Sequence, residues 1–278
     1  MATAATTSAE VGAPEVLVSD GDRLYRTDAD GRVTIETQNL ALPPARVFVI
    51  LPGGHRATTP WQRPWPPQTG ETARVVTFGI QPTAGRPAGD AVVATDPQVT
   101  AVDAGEVLAR MRADLAPDGA RPGFVAVLGD LTEHGSLDEL EAWRDAPEDW
   151  PVPLYPLFGG RDGAAERGSR IAAFERVVGP AWFAFWYGGR CYFALVTEPE
   201  VLTGQEQARQ LRWLNRLLAA LPAETRCVVL GHVPPAAPRD QPHHRPAPAR
   251  SGLLRALARG QPVAVRRRPD ARHGAAPR

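Results

Sequence analysis

The chain contains no lysine; all 31 of its basic residues are arginine. That excludes chemistry built on a lysine Schiff base or on the lysine of a phosphate-binding P-loop. Cysteine is almost as scarce. Cys191 and Cys227 stand far apart without a C-x-x-C spacing, which excludes a disulfide framework and a cysteine-rich zinc site. No stretch reaches the roughly 18–20 uninterrupted apolar residues of a membrane-spanning helix. Neither charge is in excess, with 31 basic residues against 31 acidic ones, so nucleic acid is not an expected partner of the whole chain. Residues 1–10 lack the basic-then-apolar order of a secretory signal, and the expected location is cytoplasmic.

What is present suits a globular protein. The 278 residues are 43% hydrophobic and 22% charged, enough for one large domain or two small ones. Proline (29) and glycine (26) are plentiful, so many loops and strand ends are expected. Residues 1–13 read as a disordered tail. Residues 14–88 carry short apolar runs broken by turns and read as a small all-β sandwich. Its expected strands are 16–19, 24–27, 32–37, 46–51 and 73–80. The Trp–Pro text at 60–67, with Trp61 and Trp65, is expected to pack across a domain junction.

After Asp90 the texture changes to short buried-type strands alternating with amphipathic segments, which predicts an α/β or layered α+β domain over residues 89–265. Strands are expected at 91–95, 124–128, 153–158, 181–187, 190–196, 227–230 and 262–265. Helices are expected at 102–115, 136–144, 205–221 and 251–258. Ser136 with Glu139 forms a capping box, and Leu211, Leu214, Leu217 and Leu218 share one helix face. Residues 266–278 read as a basic, disordered tail, or as text out of frame with what precedes it.

The core strands end in polar punctuation: Asp96-Pro97-Gln98, Gly129-Asp130, Gly159-Gly160-Arg161-Asp162 and Gly231-His232-Val233-Pro234. Loops at the carboxyl ends of sheet strands are where open α/β sheets gather ligands. Carboxylates and an imidazole converging there suit a divalent metal. Glu133 and His134 read as the polar start of the next helix, and His243, His244 and His273 as solvated loop or tail residues.

This ordered set resembles the calcineurin-like metallophosphoesterases. Gly129-Asp130-Leu131-Thr132 is similar to that family's second block, and Gln210-Leu211-Arg212-Trp213-Leu214 to its long helix. The run from Phe174 through Gly188-Gly189 to Leu195 resembles its central hairpin. The stretch Tyr25 to Arg32 resembles the β-sandwich that precedes the catalytic domain in a bacterial branch, and the likeness spans roughly residues 14–265. It implies a four-layer α/β/β/α sandwich and a hydrolase of phosphate esters, in which two cations clamp the phosphate and activate water for in-line attack. The implied metal ligands are Asp96, Gln98, Asp130 and His232, with Asp130 bridging. The implied metal is Mn, Fe, Zn or Mg, and the implied substrate a small phosphate ester or a nucleotide.

Two departures bear on activity. The family's Gly-Asn-His-Asp block reads Gly159-Gly160-Arg161-Asp162 here, so Gly160 lacks the Asn oxygen and Arg161 stands at the general-acid His. A guanidinium cannot give up a proton at working pH, but it can bind a phosphate bidentately. The Gly-His-x-His block expected after Val265 is replaced by Arg266-Arg267-Arg268-Pro269. The retained set is enough for one metal ion. Two readings follow: a phosphoesterase of impaired activity, or a non-catalytic binding or scaffold module.

Overall fold

The computed structural model describes residues 11–35, 46–65, 75–83, 90–115, 122–146, 150, 152–163, 168–198 and 200–234. At the amino end, β1 (Leu17–Ser19) and β2 (Leu24–Arg26) pair antiparallel with Val18 opposite Tyr25. Asp20 closes their turn by accepting from the N–H groups of Asp22 and Arg23, and Gly21 supplies the positive φ. The five residues of β3 (Arg46–Ile50) are all buried. With β5 (Gln62–Pro64) they complete a sheet in the order β2-β1-β3-β5. Pro64 sits on the edge strand, where a missing N–H costs nothing. A second pair, β4 (His55–Ala57) with β6 (Ile80–Pro82), brings Ala57 and Ile80 against Val16, Val49 and Leu51.

Two expected strands of this region differ. Residues 32–35 form none, because the Asp28 carboxylate accepts from Asp30 and Arg32 and curls the chain into a tight turn. Residues 75–79 are also irregular, and only Ile80 of the expected 73–80 strand enters β6. There the Gly79 N–H is taken by the Thr59 hydroxyl rather than by a neighbouring strand.

The rest of the chain is mixed α and β. Three parallel strands, β7 (Ala91–Ala94), β8 (Phe124–Val127) and β9 (Leu154–Pro156), form one sheet in that order. All of β8 is buried, as expected for a central parallel strand covered on both faces. Helices α1 (Ala104–Leu115) and α2 (Leu137–Asp145) connect them, and Glu139 reaches back to the Ser136 N–H as the capping box predicts. A six-residue helix absent from the sequence reading, α3 (Ala172–Val177), precedes the hairpin of β10 (Phe183–Tyr187) and β11 (Arg190–Ala194). Gly188 and Gly189 both have positive φ, as a type I′ two-residue hairpin turn requires. The long α4 (Gly204–Ala220) crosses over to β12 (Arg226–Leu230), which lies parallel to β11.

The two latter sheets meet through aromatic side chains. Tyr155 of β9 stacks on Phe185 of β10 with centroids 3.7 Å apart. Phe124 of β8 stands edge-on to Phe185 and Tyr192. Each such pair adds about 0.5–1.5 kcal/mol beyond simple burial.

The amino-terminal sheet shares this core. Phe48 and Ile50 belong to the same buried cluster as Phe124 and Phe183, and Trp61 packs on Phe48, Tyr155 and Phe183. Polar rivets secure the join. Trp213 Nε1 donates to Ser19 Oγ (3.0 Å), Arg209 to the Asp20 carbonyl (3.1 Å) and Trp182 Nε1 to the Gly21 carbonyl (2.8 Å). No helix among the described residues is long and apolar enough to cross a membrane. The expected helix at 251–258, the strand at 262–265, His243, His244, His273 and the basic tail lie outside the described residues.

Candidate metal centre

Beyond their last paired residues, β7 and β8 run on side by side as loops. The N–H groups of Asp96, Gln98 and Val99 donate in turn to the carbonyls of Gly129 (3.2 Å), Asp130 (3.0 Å) and Leu131 (2.8 Å). This ladder continues through residues that are not extended. Asp96, Gln98 and Asp130 have φ of 56°, 47° and 50°. Only one other non-glycine residue among those described, Glu15, has positive φ. A left-handed conformation costs an L-residue roughly 1–2 kcal/mol. The strain is therefore concentrated at three of the residues the sequence marks as candidate ligands.

The third loop, after β9, closes onto Asp130. A Cβ on Gly159 would lie 2.0 Å from the Asp130 nitrogen, so only glycine allows this approach. Asp162 fastens the loop from beneath. Its fully buried carboxylate accepts from Gly159 N (2.8 Å), Thr132 N (2.9 Å) and Thr132 Oγ1 (3.0 Å). Burial pushes this carboxyl up to about 7, against the pull of those donors. Asp162 thus orients two loops and faces away from solvent.

The fourth loop, after β12, delivers His232. Its Nδ1 lies 2.8 Å from the Leu128 carbonyl, which can only accept, so Nδ1 carries a proton and Nε2 is the nitrogen offered to the centre. Nε2 lies 3.4 Å from Asp130 Oδ1. Burial alone would lower the imidazole pKa, but the hydrogen bond and charge of Asp130 outweigh it and lift the ring to about 9, so a cation taken at Nε2 would displace a proton. Burial opposes ionisation of Asp130 too, and His232 and the Arg161 amide reverse that, leaving its carboxyl below the usual range. Asp96, Asp130 and His232 each offer a ligand atom, all within 4.8 Å of one another. Gln98 is fixed beside them through its backbone.

Glu198 escaped the sequence reading. It follows β11 in a Thr-Glu-Pro-Glu run that looks like ordinary surface loop. The Thr197 hydroxyl accepts from Val233 N (3.1 Å), which draws this segment against the His232 loop. Glu198 Oε2 accepts from Thr197 N, and the buried Oε1 has no hydrogen-bond partner. Burial raises this carboxyl, His232 pulls it down, and Asp130 pushes it up again, so it feels the centre electrostatically. A buried carboxylate oxygen without a donor is costly unless a cation or proton reaches it.

Arg161 borders the other side of Asp130. Its N–H donates to Asp130 Oδ1 (2.9 Å), its Nε lies 3.6 Å from Asp130 Oδ2, and its Nη1 contacts Glu133 Oε1 at 3.0 Å. Glu133 therefore does reach the rim, while His134 turns to Glu139 of α2. Gly160 faces open space, and a Cβ added there would meet nothing within 4 Å. Two carboxylates and an imidazole gathered in this way are the kind of donor set that a divalent cation accepts. No protein-family model matches the chain, and no curated protein matches it.

Proposed function

We propose that the protein is a metal-dependent phosphoesterase of the calcineurin-like kind, acting on a small phosphate ester or a nucleotide. The observation that carries this reading is the convergence of Asp96, Asp130 and His232 within 4.8 Å, on strained or carbonyl-anchored residues at three strand ends. Pre-set strain and a fixed imidazole tautomer are features of a binding site rather than of plain loop caps. The finer fold reading is a four-layer α/β/β/α sandwich with an amino-terminal β-sandwich attached. The aromatic contact between the sheets of β8–β9 and β10–β11 supports it.

Asp96, Asp130 and His232 would hold the ion, with Gln98 beside them, and Mn, Fe, Zn or Mg are the candidates. When bound, the ion supplies Lewis acidity toward a phosphoryl oxygen and a lowered pKa for water. The chain's own residues do the rest. Asp162 keeps the Asp130 and Gly159 loops in register, His232 presents Nε2, and Arg161 offers N–H donors to phosphate oxygens at the rim. A second reading, a phosphate-binding module without turnover, draws on Gly160 and Arg161, which leave no general acid in that loop.

Mn²⁺-dependent hydrolysis of bis(p-nitrophenyl) phosphate by the full chain, beside Asp130→Asn, tests the proposal. The expected result is turnover in the wild type that falls more than about 100-fold in the variant, since loss of an outer-shell partner alone costs about 10–100-fold. Mn²⁺ binding without turnover in the wild type favours the binding-module reading.

A further inference from the structure

We propose that the Arg161 guanidinium takes the place of a second metal ion, so that the centre holds one divalent cation and one fixed arginine charge. This rests on the phosphoesterase reading above and deepens it. The two oxygens of Asp130 meet different side chains. Oδ1 lies 3.4 Å from His232 Nε2 and also accepts from the Arg161 backbone N–H at 2.9 Å. Oδ2 lies 3.6 Å from Arg161 Nε. A carboxylate that bridges two ions through both its oxygens gives one to each, and here the second oxygen is already beside a cation.

The surroundings of that second position agree. Glu133, the other carboxylate within reach, is engaged by Arg161 Nη1 at 3.0 Å and through its carbonyl at 3.1 Å. Gly160, next in the loop, has no side chain to offer. A second divalent ion taken up at Asp130 Oδ2 would meet the guanidinium at contact distance, where like charges repel strongly. The guanidinium does not titrate in the working range, so it is a permanent occupant.

The same group is suited to a substrate. Asp130 and Glu133 hold Nε and Nη1 in a defined plane, yet 47% of the side chain stays exposed. A guanidinium has five N–H donors, enough to serve both carboxylates and a phosphoryl oxygen. One phosphate oxygen would then face the divalent ion and another the arginine fork.

The test uses the full chain with Mn²⁺ counted by electron paramagnetic resonance, and inorganic phosphate binding to the Mn²⁺-loaded protein followed by calorimetry. Wild type is expected to saturate at one Mn²⁺ per chain. Arg161→Gln should hold that ion at least as tightly but bind phosphate roughly 10–100-fold more weakly, as for loss of a charged hydrogen bond. Arg161→Lys, which keeps a point charge without the fork, should fall between them. Two Mn²⁺ ions in the wild type, or unchanged phosphate affinity in Arg161→Gln, would overturn the proposal and leave the phosphoesterase reading standing. Loss of Mn²⁺ in Arg161→Gln would overturn it too, because Arg161 would then be propping up the first ion's site. A wild type that binds no Mn²⁺ brings down both.

Discussion

Asp130 has two sets of neighbours: Asp96 and His232, and the loop of Gly160 and Arg161. The first set gathers ligand atoms within 4.8 Å of one another, and near it the buried Glu198 Oε1 has no hydrogen-bond partner. In the second, one guanidinium, that of Arg161, is shared by Asp130 and Glu133. The backbone repeats the contrast. Gly159 is wedged against Asp130, whereas the adjacent Gly160 looks into open space. One carboxylate can thus be shared by an imidazole and a guanidinium when strand ends bring both to it.

Breaking both sets at once should have the largest effect. Asp162→Ala leaves the N–H groups of Thr132 and Gly159 buried without acceptors. The expected loss is about 3–5 kcal/mol of unfolding free energy, at about 1–3 kcal/mol per orphaned group with a cavity added. A urea midpoint close to wild type would show that the loops do not depend on this carboxylate.

The two glycines separate the sets next. Gly159→Ala pushes a methyl into the Asp130 backbone and should weaken Mn²⁺ binding by roughly 100-fold, the scale of a 1 Å misplacement in a positioned site. Gly160→Ala has room for its methyl and should stay within about 0.5 kcal/mol of wild-type stability, with Mn²⁺ affinity intact. Equal effects from the two substitutions would erase the contrast. A smaller change sharpens the first set: Glu198→Gln removes a negative charge near His232 and should lower Mn²⁺ affinity about tenfold, as outer-shell losses do. Calorimetric titration reads it directly, and an unchanged affinity would detach Glu198 from the centre.

The smallest effect lies at the rim. The His134 pKa is raised, first by its hydrogen bond to Glu139, with Glu133 adding and Arg161 opposing. A raised folded-state pKa stabilises fully below the unfolded value of 6.5 and is lost as pH climbs through the folded value. The urea midpoint of wild type should therefore drop slightly, relative to His134→Gln, as pH rises above 6.5. Parallel curves for the two proteins would mean that this pair does not couple to folding.

The legible parts of the sequence were those where local pattern and tertiary setting agree. The β8 run from Phe124 is apolar and fully buried, and the Ser136 and Glu139 capping box starts α2 as its spacing predicts. The polar residues closing β7, β8 and β12 stood out because apolar runs end abruptly on them. Other features had no local signal. Strands β4 and β5 are three residues each, in Thr- and Pro-rich text, and exist only through their partners. The expected strand at 32–37 lost residues 32–35 to the side chain of Asp28, a local hydrogen bond that outcompetes pairing. Glu198 looked like solvent-facing loop because the contact that draws it in comes from Val233, far along the chain.

The rivets between the amino-terminal sheet and α4 have a consequence for how the protein is made. Ser19 waits for Trp213, and Asp20 for Arg209, across 194 and 189 residues of chain. At about 5–20 residues per second of synthesis, the first strands leave the ribosome roughly 10–40 s before their partners exist. During that interval the apolar side of β3, with Phe48 and Ile50, has no lasting cover. Nascent chains halted before α4 should therefore be captured by a holdase chaperone, and release should follow once translation passes Trp213 and the sheet can close.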